Sequence, residues 1–239
     1  MDCFGFPEQS FIIILMKRIL TILLLFAVFS ITAAAQYEPT STWPYLYKDF
    51  TEGEILLNIG NPKKAKLNVH VSKSRLHFID GSYICEANMP DISSVRIGDD
   101  FYTNAGGRMM KILAKSSMSI VAEEILVDPV RLNATGGAYG SSSSTLSTTA
   151  LSAIEQTTVG GRTELTRLVS GKDDGQTLPL MDKMYMVFKG WVVYASRKDV
   201  LETFPEYKDD LSRFMKENKI KWKDPQSLLK LADYISEKL

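Results

Sequence analysis

Cysteine and histidine are scarce in this 239-residue chain, with two of each, and the shortage excludes a good deal of chemistry. Cys3 lies ahead of a leader that is expected to be removed, which leaves Cys85 alone, so no intrachain disulfide is expected. In the setting Tyr83-Ile84-Cys85 an unpaired thiol serves best as a small buried hydrophobe. Nothing local supplies the electropositive, partly exposed environment that makes a thiolate reactive. His70 and His77 fall in neighbouring strand segments. Strict alternation puts them on opposite faces, whereas a break at Ser72-Lys73-Ser74 could restore them to one. No HExxH, CxxC or carboxylate cluster accompanies them, so they are expected as exposed strand residues, with no metal and no cofactor. Net charge is missing too. The 28 basic residues are matched by 28 acidic ones. That balance argues against broad electrostatic attraction to nucleic acid or anionic membrane, and no nucleic-acid partner is expected.

What the chain does have is one long greasy run near its start. Lys17 and Arg18 follow Met16, an apolar stretch runs from Ile19 to Ile31, and Thr32-Ala33-Ala34-Ala35 closes it. Positive charge, apolar core and small residues spaced A-x-A form the three parts of a secretory signal peptide. Cleavage is expected between Ala35 and Gln36. A transmembrane anchor is the rival, but Ile19 to Ala35 is at the short limit for crossing a bilayer. Tyr-Glu-Pro rather than a basic cluster follows it. Because Gln36 and not cysteine occupies the first mature position, no lipid anchor is expected, and no stable membrane anchor remains after cleavage. Phe11 to Leu15 precede the charges, where a signal peptide is short and polar, so translation is expected to start at Met16.

Beyond an aromatic lead-in, Tyr37 to Tyr47, the chain reads as strands to about Val130. Glu54 to Ile59 is closed by Gly60-Asn61-Pro62, a turn cluster. Leu67, Val69 and Val71 alternate with Asn68, His70 and Ser72, the period of a half-buried strand. Leu76 and Phe78 continue the alternation, and Asp80-Gly81 signals a hairpin. Tyr83–Ala87, Ser94–Ile97, Asp100–Thr103, Arg108–Ala114 and Met118–Val127 supply further strands. Many short strands with no helical pattern between them imply an antiparallel meander, curled into a small barrel or a sandwich.

Composition shifts near Asn133. No charged residue occurs from Leu132 to Ile154, and GGAYGSSSSTLSTTA is too polar and too rich in glycine and serine to order itself by burial. A flexible linker is expected over 131–163, with a ligand-binding loop around Tyr139 as the functional alternative. Structure resumes with MYMVFKGWVVYAS, a hairpin turning at Lys189-Gly190. Ser196 is placed to cap a helix, and Phe204-Pro205 begins a second. Tyr207, Leu211, Phe214 and Met215 share one face of it, and Asn218 ends it. Asp224 and Pro225 open a third, striped by Leu228, Leu231, Ala232, Ile235 and Leu239. The fold class is therefore α+β, divided into a leader (1–35), a β-rich domain (46–130), a linker or loop (131–163) and a hairpin with a helical tail (164–239).

The chemistry-bearing motifs are thin. Ser141 to Ser144 lack the rigid G-x-S-x-G elbow of an activated serine, and Gly136-Gly137 and Gly160-Gly161 lack phosphate-loop spacing. Asp173-Asp174 and Asp209-Asp210 are expected on the solvated surface, and Asn133-Ala134-Thr135 matches a glycosylation sequon. Lys216, Lys219, Lys221 and Lys223 interleave with Ile220 and Trp222, a basic strip expected to be a solvated turn. No catalytic residues are assigned.

Together, the leader, the opening FTEGEILLNIGNPKKAKLNVHVS, the AYGSSSST tract and the tail VVYASRKDVLETFPEYKDDLSRFMKENKIKW resemble a group of exported proteins of Bacteroidetes-type bacteria. No activity is established for that group. The resemblance implies a periplasmic or extracellular location and brings no functional residues with it. The expectation is an exported, non-enzymatic binding module whose partner is an envelope protein or a glycan. The alternative is a small secreted hydrolase whose carboxylates converge only in the fold.

Overall fold

The computed structural model describes residues 40–41, 43–134, 162–164 and 178–239. Ala35, Gln36, Tyr139, Ser141 to Ser144 and Asp173-Asp174 lie outside the described residues. Twelve strands form one sheet: β1 (Thr40–Ser41), β2 (Thr51–Leu57), β3 (Lys63–His70), β4 (Arg75–Asp80), β5 (Tyr83–Glu86), β6 (Ile92–Ile97), β7 (Asp100–Ala105), β8 (Arg108–Lys115), β9 (Ser119–Val127), β10 (Arg162–Glu164), β11 (Leu178–Phe188) and β12 (Trp191–Tyr194). The helices are α1 (Pro129–Ala134), α2 (Arg197–Thr203), α3 (Lys208–Glu217) and α4 (Pro225–Lys238).

The expected β-rich, antiparallel architecture with a C-terminal hairpin and helical tail is what the chain adopts. Two meanders, β2–β5 and β6–β9, join where β2 pairs with β6. The spatial order is β1-β11-β9-β8-β7-β6-β2-β3-β4-β5-β10, with β12 beside β11. The two ends of that path do not pair, so the sheet is not closed into a barrel. It does curl. The β3–β4 turn reaches across to the other meander, where Met109 N–H donates to Ser74 O at 2.7 Å and Val127 N–H to Val71 O at 3.0 Å. β11 pairs with β9 over nine positions, from Leu180 opposite Val127 to Phe188 opposite Ser119, and thereby places the hairpin within the same sheet as the meanders.

One face of the sheet carries most of the core. Ile55, Leu67, Val69, Leu76, Val95, Ile97, Tyr102 and Met109 pack together on it. Further along, Val121, Met186 and Val193 are covered by Leu211 and Met215 of α3 and by Leu228, Leu231, Ala232 and Ile235 of α4. The apolar stripes of the tail helices are thus a roof over the sheet. The roof is fastened by its caps: Ser196 Oγ accepts from Asp199 N at 3.1 Å and Asp224 Oδ1 from Gln226 N at 3.2 Å. The hairpin turn requires left-handed backbone at both central residues, and Lys189 (φ 44°) and Gly190 (φ 83°) provide it. Gly53 of β2 is fixed for another reason. A Cβ there would meet Arg96 O at 2.4 Å and Leu67 Cδ1 at 2.7 Å, so only glycine lets β2 lie this close to β6.

Several elements depart from the sequence reading. The first strand begins at Thr51 rather than Glu54, β11 begins at Leu178 rather than Met184, and α1 runs into the expected linker. Arg162 and Thr163 of that linker, with Glu164, pair with Cys85, Ile84 and Tyr83 on the edge of β5. Cys85 itself is buried, as expected. Among the described residues no helix is long and apolar enough to cross a membrane.

Candidate functional site

The aromatic lead-in is built into the fold, and it organises the chain's two histidines. Leu46 N–H donates to Val69 O at 2.9 Å, Val71 N–H donates to Pro44 O at 3.0 Å, and Tyr45 bridges to His70. The lead-in therefore continues the line of β2 along β3, with a bulge between. Asn68 fills that bulge: its Oδ1 accepts from Tyr47 N at 3.0 Å and its Nδ2 donates to Tyr47 O at 2.9 Å. Asn68 is fully buried, and it supplies by side chain the bonds that the interrupted ladder cannot supply by backbone. The alternation pattern gave no signal of this role, because Asn68 stood at a position expected to face solvent.

The histidines are a correction. They were expected to be exposed, yet His70 is 1% and His77 2% exposed. A four-residue turn, Val71 to Ser74, puts His70 opposite Arg75, so His77 falls on the same face two residues on. The imidazoles stack at 5.0 Å with Tyr45 edge-on to both, and Trp43 and Phe50 meet Tyr45 edge to face. Tyr45 Oη lies 2.8 Å from His77 Nδ1, and Glu86 Oε2 lies 3.7 Å from His77 Nε2. Burial, and secondarily the neighbouring His70, pulls the His77 pKa down to about 3. His77 is therefore held neutral, with Nδ1 in hydrogen-bond contact with the Tyr45 hydroxyl and Nε2 without a hydrogen-bond partner among the described residues. This pair is a sealed structural contact. Among the described residues no group of three or more His, Cys, Asp or Glu side chains assembles a metal site.

On the core face, Tyr47 Oη donates to Asp100 Oδ2 at 2.6 Å and lies 2.5 Å from Tyr102 Oη, while Lys111 Nζ sits 2.7 Å from Asp100 Oδ1. Burial pushes the Asp100 carboxyl up, but the bonds from Lys111 and Tyr47 more than offset it and leave its pKa lowered. Glu123, paired across the strands with Lys111, is raised by burial and then by Asp182.

Among the described residues two cavities stand out. One, of about 370 Å³, opens at the end of the core face where β2 turns into β3 and β5 crosses to β6. Ile55, Leu57, Ala65, Phe78, Ala87 and Ile92 line it, together with Lys63, Lys64, Asn88 and Asp91. Its outer wall, the 3-10 turn Met89–Asp91, is pinned by asparagines. Asn58 Nδ2 donates to Pro90 O at 2.8 Å, and Asn104 Nδ2 to Met89 O at 2.6 Å and Ile92 O at 2.9 Å. Side-chain bonds thus hold that wall of the cavity. The other cavity, of about 490 Å³, lies in the helical tail and is lined by Arg197, Ser212, Arg213, Met215, Lys216, Ile220 and Trp222. Sequence spacing had grouped Lys216, Ile220 and Trp222. It missed Arg197 and Arg213, which the fold brings to them from α2 and α3. Comparison with protein families, curated proteins and solved structures finds no match for this chain.

Proposed function

We propose that this protein is an exported, non-enzymatic binding module of the cell envelope, and that the cavity at the end of the core face is its ligand seat. The signal-peptide pattern of Met16 to Gln36 supports export. The observation that carries the binding role is the cavity: a largely apolar space of about 370 Å³ with two lysines among its lining residues. Ligand sites of small-molecule binders have this size and this combination of apolar lining with few polar groups. The chemistry selects an amphipathic anion, an alkyl chain laid against Phe78, Leu57 and Ile92 with its carboxylate at Lys63 and Lys64. Asp91 bonds to Asn88 at 2.8 Å, and so is directed to the wall.

Dodecanoate, titrated calorimetrically into the full chain, is expected to bind in the micromolar range. Ala65→Trp, which fills the cavity, is expected to abolish binding. Lys63→Gln with Lys64→Gln should weaken dodecanoate about tenfold while leaving dodecanol unchanged, since about 1.4 kcal/mol of charge-assisted contact is lost. Equal affinity of the Ala65→Trp chain would sink the assignment.

One observation favours the hydrolase alternative. Asp100 and Glu123 lie on either side of Lys111, with pKa values moved in opposite directions, as an acid and a base would require. That reading requires turnover of 4-nitrophenyl esters or glycosides that Glu123→Gln abolishes; our reading expects a chain inert to both.

A further inference from the structure

We infer that the groove of the helical tail is a second, independent binding site, and that its ligand is an acidic saccharide. The groove measures about 490 Å³ and lies between the start of α2, the outer face of α3 and the α3–α4 connection. Three cations line it, Arg197, Arg213 and Lys216, with the Ser212 hydroxyl beside them and no carboxylate among them. Its floor is apolar: Met215, Ile220 and the indole of Trp222, which all pack against the roof of the core.

The acid paired with Arg213 is already committed, and Glu217 acts on that guanidinium only through space. Asp210 Oδ1 holds Arg213 Nη2 at 2.6 Å, and its Oδ2 takes the Tyr234 hydroxyl at 2.6 Å and Lys238 Nζ at 3.1 Å. The Tyr234 and Lys238 contacts tie α3 to α4, and the exposed Arg213 shares the same carboxylate. A guanidinium has five N–H donors in a planar fork, so Arg213 keeps donors for a ligand after serving Asp210. Arg197 and Lys216 are exposed, and the structure shows no acidic partner for either among the described residues. The groove therefore presents unspent positive charge in a protein whose overall charge is zero.

Size and floor decide the ligand class. A lone oxyanion is held by converging backbone N–H groups in a cavity of its own size. This groove is far larger and half apolar. Its occupant must carry a flat, weakly apolar surface for Trp222 as well as anionic groups for the arginines. A pyranose ring bearing a carboxylate or sulfate has both: C–H bonds on one face for the indole, planar or tetrahedral oxyanions for guanidinium, hydroxyls for Ser212. The helices supply a rigid frame for these groups, and α4 holds the frame in place through Asp210.

Trigalacturonate and neutral maltotriose, titrated into the full chain while indole fluorescence is followed, test this directly. Trigalacturonate should quench the emission saturably and maltotriose should not. Arg197→Gln with Lys216→Gln should weaken trigalacturonate about a hundredfold, each charge-assisted contact contributing about tenfold. Trp222→Phe should remove the quench and weaken binding, whereas Ala65→Trp should leave both unchanged, which separates this site from the alkyl cavity. Because Arg197 and Lys216 are exposed, their replacement leaves the fold intact. Equal binding of maltotriose, full affinity in the double variant, or complete competition by equimolar inorganic sulfate would each overturn the assignment.

Discussion

Lowering the pH from 6.5 to 5 is expected to cost the folded chain about 2 kcal/mol through His77 alone, at about 1.4 kcal/mol for each pH unit. In the unfolded chain this imidazole titrates near its ordinary value of 6.5, but in the fold burial, with His70 stacked against it, pulls it down to about 3. Between those two values the unfolded state binds a proton that the folded state refuses. Stability is therefore fully present above pH 6.5 and declines as the pH falls towards 3. The groups around the ring fit this sign. The 2.8 Å contact between Tyr45 Oη and Nδ1 suits a neutral ring, and Arg75 draws on the same Glu86 carboxylate. Glu86 would favour the imidazolium, but at 3.7 Å it is beyond hydrogen-bond reach and about a third exposed, so water screens it. Asp100 and Asp210, whose pKa values are lowered, respond only at more acid pH, while the raised Glu123 acts in the opposite sense, so replacing His77 is what isolates its share of the slope. Urea unfolding at half-unit pH steps reads the slope directly. His77→Gln should lower stability at pH 7, because Tyr45 loses its partner, yet flatten the curve over that window. An unchanged slope in the variant would assign the acid sensitivity elsewhere.

That prediction was out of reach of the sequence, and the reason is instructive. Alternation around His70 located a strand correctly, but alternation assigns faces without saying what covers them. Both faces of β3 and β4 are covered, one by the core and the other by the lead-in, whose aromatic residues have no periodicity to announce a partner. The same limit applies to Asn68, which looks like a solvent-facing residue until a bulge places backbone against it. Elements governed by local chemistry were legible. The Lys189-Gly190 turn, the Ser196 and Asp224 caps and the stripe on α4 follow from rules that act over a few residues, and all are present. Features made by distant segments were not. Pairing of β2 with β6, the open rather than closed sheet, and the meeting of Arg197 and Arg213 with Trp222 all depend on how the sheet curls and where the roof settles.

A buried ion pair on the opposite face of the sheet illustrates what distance in sequence can hide. Glu124 is 2% exposed, and Arg108 Nη1 lies 2.9 Å from its Oε2. The same nitrogen donates to Tyr185 Oη at 3.3 Å, and the guanidinium rests 4.9 Å from the centre of that ring. Around them the face is apolar, with Met110, Ala122 and Ala105 buried and Val187 and Val192 packed against them. Arg108→Ala is expected to cost about 3 kcal/mol, because it leaves a carboxylate in an apolar layer with its countercharge gone. Arg108 is itself a third exposed, which keeps the figure at the low end of the range for buried pairs. Glu124→Leu should cost less, since the arginine that remains can turn to water. The double replacement, Arg108→Leu with Glu124→Leu, should recover most of the loss, because both desolvation costs vanish together and apolar neighbours already surround the site. Urea midpoints for the two single variants and the double give the coupling directly. If the losses simply add, the pair is a surface contact that happens to sit close, and the apolar layer tolerates the lone carboxylate by admitting water.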